Sequence, residues 1–456
     1  MSVQLAIANI ALDTASVSRQ GFGTILFIGK HNYFPERVRE YTSTQSMIDD
    51  GIPTTAGIYT AAQGAFSQTP RPTSLKIGRQ ETTSILTPIS VVDNAEFKII
   101  LSGNGVTSPV EFAYTATVPT DDAEAVIDAL ILAIAGDAQV SAVVTTTKVG
   151  TGTDAVLELS QTVSGTDWFT VGSLVGLSES FKAVSTETAA DTLGAIVAED
   201  DAFYYITAED KSNTFVLGLA ADAEARLKYY RTSIAEVGSY TATPTGTMAD
   251  LQEANYFRSN CFYHHEANTK FPEVNALAEI AFAVTGTVTY ANRIVAGVSP
   301  SLNADGKPLT TTQQANIKKV NGDFFARVGN FSTDPVITVV GKSASGEWID
   351  NIVGRDNLQV DIEADFTNLM IRQKASKVAF NNKGANQLRS VLQTVLTLYT
   401  ADGIHNFIED DFEIIIPDQS AFNPADKTTR TFKQITFKAT LTNAIHMVEI
   451  TGTLSL

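Results

Sequence analysis

Residues 24–29, TILFIG, form a short continuous apolar run that ends on Gly29. A run this short, with no polar alternation, reads as a strand buried on both faces. Two helical stretches follow. One starts near Thr42–Ser43 and ends at Gly51, and the other runs from about Thr54 to Gln68 and is rich in Ala and Gly. Pro70 and Pro72 stop the chain, and LKIG at 75–78 reads as a second buried strand. The order β-α-α-β predicts an α/β layer.

The same signature returns after Asp191. AFYYIT at 202–207 reads as a strand, and a helix beginning near Asp210–Ser212 sets Phe215, Leu219 and Ala223 on one face. CFYHH at 261–265 reads as another strand. Pro272 opens the helix FPEVNALAEIAFAVTG at a first position that needs no N–H. Between these halves the character changes. From about Ser84 to Val184, alternating runs such as EFKIILSG and AVLELS are broken by Gly and Asp, with one helix, AEAVIDALILAIAG, capped near Thr120–Asp121. This stretch holds twelve acidic residues against three lysines, a net of −9, half the charge of the whole chain. It predicts an inserted, acidic, β-rich domain in an outward, solvated position.

Both ends carry strand patterns. Val3, Leu5 and Ile7 alternate with Ser2, Gln4, Ala6 and Ala8, and a Thr/Ser-rich linker follows at 13–18. The last unit has helical stretches near Leu358–Lys374 and Gln387–Thr400 and a strand, DFEIIIP, at 411–417. Two long strands close it. Ile435, Phe437, Ala439 and Leu441 alternate with polar neighbours, as do Val448, Ile450, Leu454 and Leu456, with Asn443–Ala444 between. A strand at a chain end must pair with its own domain or with another chain. The expected fold class is a multidomain α+β or α/β protein. Its parts are an arm at 1–20, an α/β core at 21–83 plus 185–330, the insertion at 84–184, and a C-terminal α/β unit at 331–456 that ends in antiparallel strands.

Composition narrows the function. The 456 residues are 44% hydrophobic, ample for two to four domains. The net charge of −18 repels a phosphate backbone, which excludes nucleic acid as an expected partner. The single cysteine, Cys261, excludes an internal disulfide and fits assembly in a reducing cytoplasm. MSVQLAIANIALDTAS has no basic start and no long apolar run, so no signal peptide is expected. No stretch reaches about 18 apolar residues, so no direct membrane insertion is expected.

Candidate chemistry is sparse. GKS at 341–343 has the end of a phosphate loop, but its first glycine would fall at Val336, so it reads as a turn. Cys261, His264, His265 and Glu266 hold half of a zinc pattern with no second pair, and on a strand the two histidines point to opposite faces. His405 and His446 stand alone, and G-x-S-x-G and H-E-x-x-H are both missing. The acidic runs at Asp121–Asp122, Glu199–Asp201 and Glu409–Asp411 lack the alternation of a calcium loop and read as solvated loops and helix starts. The expectation is a protein that is not an enzyme, with no catalytic or metal residues and no cofactor. One charge pattern stands out. Between Arg372 and Ala401 lie Arg372, Lys374, Lys377, Lys383 and Arg389 and no acidic residue, a candidate interaction face in an acidic chain.

SGEWIDNIVGRDNLQ (345–359), NQLRSVLQTVLTLYTADGI (386–404), EIIIP (413–417), ADKTTR (425–430) and FKATLTNAIHMVEITGTL (437–454) together resemble the tail sheath proteins of long-tailed contractile phages. GFGTILFIG (21–29) and PTSLKIGRQ (72–80) agree with the likeness, which spans essentially the whole chain. The resemblance implies a homo-oligomer of stacked sixfold rings around an inner tail tube protein, bounded by baseplate and tail terminator proteins. It implies assembly in the host bacterial cytoplasm and residence in the virion tail. It also implies contraction from a metastable extended state without nucleotide hydrolysis. It further implies that terminal strands exchange between subunits, so Ser2–Ile10 would join a sheet made from Phe432–Leu441 and Val448–Leu454 of other copies. On this reading 84–184 is dispensable for the lattice, and the basic stretch faces the tube or an acidic neighbour. A different tail or baseplate protein, or a virion-borne polysaccharide depolymerase, is the alternative; no β-helix repeat favours the last.

Overall fold

A computed structural model describes residues 21–446 apart from Val118, Thr186, Asn330 and residues 373–376. The arm residues Val3, Leu5 and Ile7, and Val448, Ile450 and Leu454 of the last expected strand, lie outside the described residues. The chain divides into two compact units, Gly21–Ala283 with Thr289–Ile349, and a second that includes Val284–Val288 and the residues from Asp350 on.

The first unit begins with β1, Ile25–Lys30, fully buried except for its last residue. After β2, Val38–Tyr41, come the helices Thr44–Asp49 and Gly57–Phe66, and then β3, Leu75–Gln80. Ser43 caps the first helix by accepting from Ser46 N–H, as its residue type favours. β3 lies parallel to β1, while the short β2 runs antiparallel along its outer edge. The expected β-α-α-β unit is present. The added edge strand VREY is too short and too charged to show period-2 patterning.

The insertion supplies β4, Ser84–Pro88, β5, Glu96–Gly103, β6, Val110–Thr115, β7, Val144–Val149, β8, Val156–Gln161, β9, Phe169–Val175, and β10, Leu177–Phe181. They form two antiparallel sheets ordered β10-β4-β8-β7 and β6-β5-β9. β5 buries alternate residues, and Phe97, Ile99 and Leu101 pack with Val126, Ile127, Leu130 and Ile134 of the helix Ala123–Gly136 in one core. That helix is capped by Asp122, which accepts from Ala125 N–H.

The chain then returns to the first sheet. The strands are β11, Tyr205–Ala208, β12, Tyr229–Ile234, β13, Ser259–Tyr263, β14, Asp323–Arg327, and β15, Val336–Thr338. The complete order is β15-β14-β13-β12-β11-β1-β3-β2. β11, β12 and β13 are buried at every position, which explains their continuous rather than alternating sequences. Phe215, Leu219 and Ala223 of the helix Asn213–Ala225 pack into this core, on the face their spacing indicates. The expected boundary at 331 requires correction. β15 pairs antiparallel with β14, so 336–338 complete the core sheet and the compact unit runs on to Ile349. A three-residue strand between turns carries too little pattern to reveal this.

In the second unit the helix Asn382–Tyr399 buries Leu388, Leu392, Val395, Leu396 and Tyr399, a 3.6-residue stripe, and Asn381 caps it. Leu358, Phe407 and Ile408 complete the cluster, with Ile435 and Leu441 packed against it. β16, Glu413–Ile415, and β17, Thr436–Lys438, pair antiparallel through Ile414 and Phe437. Ile408 bridges Leu441, and Glu409 N–H donates to the Thr440 carbonyl at 2.8 Å. The expected eight-residue strand is therefore divided. Three residues pair with β16 and the following ones run against 407–409.

Candidate functional sites

An open α/β sheet takes ligands outside the carboxyl ends of its strands, where the strand order reverses. Here that point lies between β1 and β11. Lys30, at the end of β1, donates its backbone N–H to Glu209 Oε2 at 3.0 Å. Its ammonium donates to the Ala183 carbonyl at 2.7 Å and lies 3.8 Å from Asp210. Lys211 pairs with the fully buried Glu273, which also accepts from Thr207 Oγ1 at 3.2 Å and from Ser233. A Cβ on Gly57, at the start of the helix Gly57–Phe66, would stand 2.5 Å from Glu209 Oε1. Burial pushes the Glu209 carboxyl up. The crevice is filled by the protein's own ion pairs.

The GKS segment is a turn, as its missing glycine implies. Gly341 has φ +72, and the N–H groups of Val339, Val340 and Gly341 donate to the buried Asp323 carboxylate at 2.9–3.1 Å. A carboxylate thus occupies the position an incoming anion would need, and Lys342 lies over the Trp348 ring at 4.7 Å.

His264 and His265 depart from expectation. β13 ends at Tyr263, so neither lies on the strand, and their rings approach to 4.6 Å instead of facing apart. His264 Nε2 lies 3.0 Å from the Ser299 carbonyl, and burial holds its pKa down at about 4. Burial pushes the Cys261 thiol up. No group of three or more His, Cys, Asp or Glu suited to a metal occurs among the described residues. His405 stacks on Tyr399 at 4.0 Å, with Nδ1 2.7 Å from the Thr285 carbonyl. The acidic runs serve local structure. Asp121 accepts from Tyr114 and Thr117, Glu199 from Arg37 N–H, and Asp201 pairs with Lys228 at 2.7 Å.

The remaining candidate is the small sheet of the second unit. Ile435 and Leu441 pack on its core, whereas Phe437 and Ile415 are 38% and 39% exposed. β17 has no ladder partner on its outer side among the described residues. Of the basic stretch, Lys377 and Lys383 are exposed, while Arg389 donates to the Ile414 carbonyl at 3.1 Å and so braces β16. Lys374 and the side chain of Arg372 lie outside the described residues.

Sequence reasoning missed one cluster entirely. Arg37 reaches Glu81 and, at 2.8 Å, Glu187, which are the residues flanking the insertion. Glu81 also accepts from Ser164 Oγ at 2.9 Å and Gly165 N–H at 3.0 Å. Glu187 accepts from Glu81 N–H at 2.7 Å. These partners are 44 and 106 residues apart, and no local pattern links them.

No protein-family model matches the chain. No curated protein matches it either. Its fold is nevertheless shared with solved chains of contractile injection systems. One, from a sixfold-symmetrised structure of the anti-feeding prophage baseplate, has a TM-score of 0.52 at 10% identity and covers 100% of both chains. A second, from the contracted sheath complex of the extracellular contractile injection system PVC, has a TM-score of 0.50 at 9% identity and covers 100% of this chain and 98% of that one. A sheath tail protein of Listeria innocua reaches 0.43 at 11% identity over 88% and 89% of the two chains. The likeness to contractile sheath proteins read from the sequence is thus accompanied by a likeness of fold over the whole chain.

Proposed function

We propose that this chain is the structural subunit of a contractile tail sheath. The observation that carries the reading is the end-to-end fold likeness to chains of two contractile systems. Copies stack as sixfold rings around an inner tube, and contraction of the metastable lattice drives the tube through a host envelope. The filled crevice of the sheet supports a role in which energy resides in the assembly and not in a bound nucleotide.

The linkage between copies is a strand exchange. The outer side of β17, unpaired among the described residues, and the exposed Phe437 suit a strand from another chain, and main-chain hydrogen bonds supply the affinity. A head-to-tail contact of this kind propagates instead of closing. The purified protein is expected to form striated tubes in negative-stain micrographs. Deleting residues 1–12 is expected to leave monomer that does not polymerise, and normal tubes from the deleted protein would refute the exchange. Short rings with no tubes from the intact chain would favour a second reading, a baseplate component, which the first of the neighbouring structures suggests.

Residues 84–184 face outward on this reading. The basic stretch lies toward the tube or an acidic neighbour, with Lys377 and Lys383 exposed and Arg389 committed to β16. Reversing the charge of Lys374 and Lys377 is expected to weaken assembly on tubes at least tenfold and to lessen its salt dependence. Unchanged assembly would count against that orientation.

A further inference from the structure

The insertion meets the core along a second contact. Tyr33, Asp50 and Pro53 of the core face Thr170, Leu174 and Glu179 of the insertion across a recess of about 640 Å³. Glu179 lies in the edge strand β10, opposite Leu86 of β4. Asn32 donates to the Ser84 hydroxyl at 3.0 Å, and Ser84 in turn bonds the Glu179 carboxyl. The other carboxyl oxygen, Oε1, is shut off from solvent and has no hydrogen-bond partner among the described residues.

The charges around this group are already engaged. Asp50, on the far wall, is held by Arg39 and Tyr41 at 2.9 Å each. Lys182, two residues past Ser180, pairs with Glu158 of β8 at 3.0 Å. Lys30 serves Ala183 and Asp210. The Tyr33 phenol is pushed up by burial and by the charges of Glu179 and Glu209, so it stays neutral. Among the described residues no cation offsets Glu179, and burial raises its carboxyl from 4.5 to about 7.

We propose that Glu179 is a proton-controlled catch between the inserted domain and the core. Neutral, it seats β10 against Tyr33. Ionised, it swings into the recess, takes up water and loosens the junction. An unpaired carboxylate in an apolar setting is costly, and a recess of this size holds the waters that relieve it.

The closed junction has the raised carboxyl and the open one the ordinary value. Its closing preference is therefore complete below pH 4.5, declines as pH rises to about 7, and is constant above. Linkage gives a rise of roughly 25-fold in the opening equilibrium between about pH 5.5 and pH 8. Hydrogen–deuterium exchange of the full chain, corrected for intrinsic rates, tests this. Protection of 170–175 is expected to fall by about that factor in the native chain. Glu179→Gln, isosteric and always neutral, is expected to keep the low-pH protection at both values. An equal fall in the variant, or none in the native chain, overturns the proposal. Carbon NMR titration of Glu179 in the unmodified protein needs no variant. A midpoint near 7 is expected, and one near 4.5 overturns the proposal.

Discussion

Arg37→Ala is expected to destabilise the first unit by about 3–5 kcal/mol and to open the neck of the inserted domain to protease. Arg37 is nearly buried, with a side chain 12% exposed, and Glu81 and Glu187 are 3% and 4% exposed. Removing the guanidinium leaves two carboxylates facing each other in a low-dielectric site. One stands just past β3, on the segment leading into the insertion, and the other on the segment leading out, so their repulsion acts on both crossings at once. Burial already pushes the Glu187 carboxyl up, a sign that its charge is held only at a cost. Adding Glu81→Gln and Glu187→Gln to the alanine variant is expected to recover at least half of the loss. Urea unfolding with proteolysis at 81–84 and 181–187 measures both. A loss below about 1 kcal/mol would show that the cluster contributes no more than a surface pair. The same cluster bears on excision of 84–184, which removes Ser164 and Gly165 from Glu81 and requires a neck that satisfies it anew.

Asp323→Ala is expected to cost about 4 kcal/mol or more in the same unit. Its carboxylate accepts from Phe324, Val339, Val340 and Gly341 N–H, which ties β14 to the turn after β15. Burial pushes the carboxyl up, while these donors and the charge of Arg231 pull it down. Arg231 is itself fully buried, with Phe262 at 4.9 Å and Tyr290 at 5.3 Å from its guanidinium. Alanine strands both the N–H groups and the cation. Asp323→Asn keeps one acceptor and is expected to lose about half as much. Thermal unfolding of the two variants distinguishes these losses. Equal stability of Asp323→Ala and the native chain would mean that water replaces the carboxylate without penalty.

The likeness to sheath proteins was most specific in the C-terminal motifs, and the fold likeness to chains of two contractile systems covers the same whole span. The terminal strands are the instructive case. Ile435 and Leu441 alternate in sequence and do reach the core, but Phe437 between them does not. Period 2 tells which residues share a face, and it leaves open whether that face meets a core, a neighbour or water. The basic stretch behaves likewise. Arg389 and Lys383 are equivalent as charges in a row, yet one is bonded to a carbonyl and the other is exposed.

The sequence by itself determined the local units: the buried strands TILFIG and LKIG, the capped helices, the apolar stripe of 382–399 and the alternation of the insertion. Each depends on contacts within a turn or a strand, so neighbouring residues carry the whole signal. Only the tertiary structure decided that β15 belongs to the core sheet, that Arg37 holds the neck of the insertion, that Asp323 fills the turn at 341 and that Glu179 meets no counter-ion among the described residues. Those outcomes depend on charges and N–H groups brought together from distant parts of the chain. Burial sets their energies, and no short stretch of sequence encodes it.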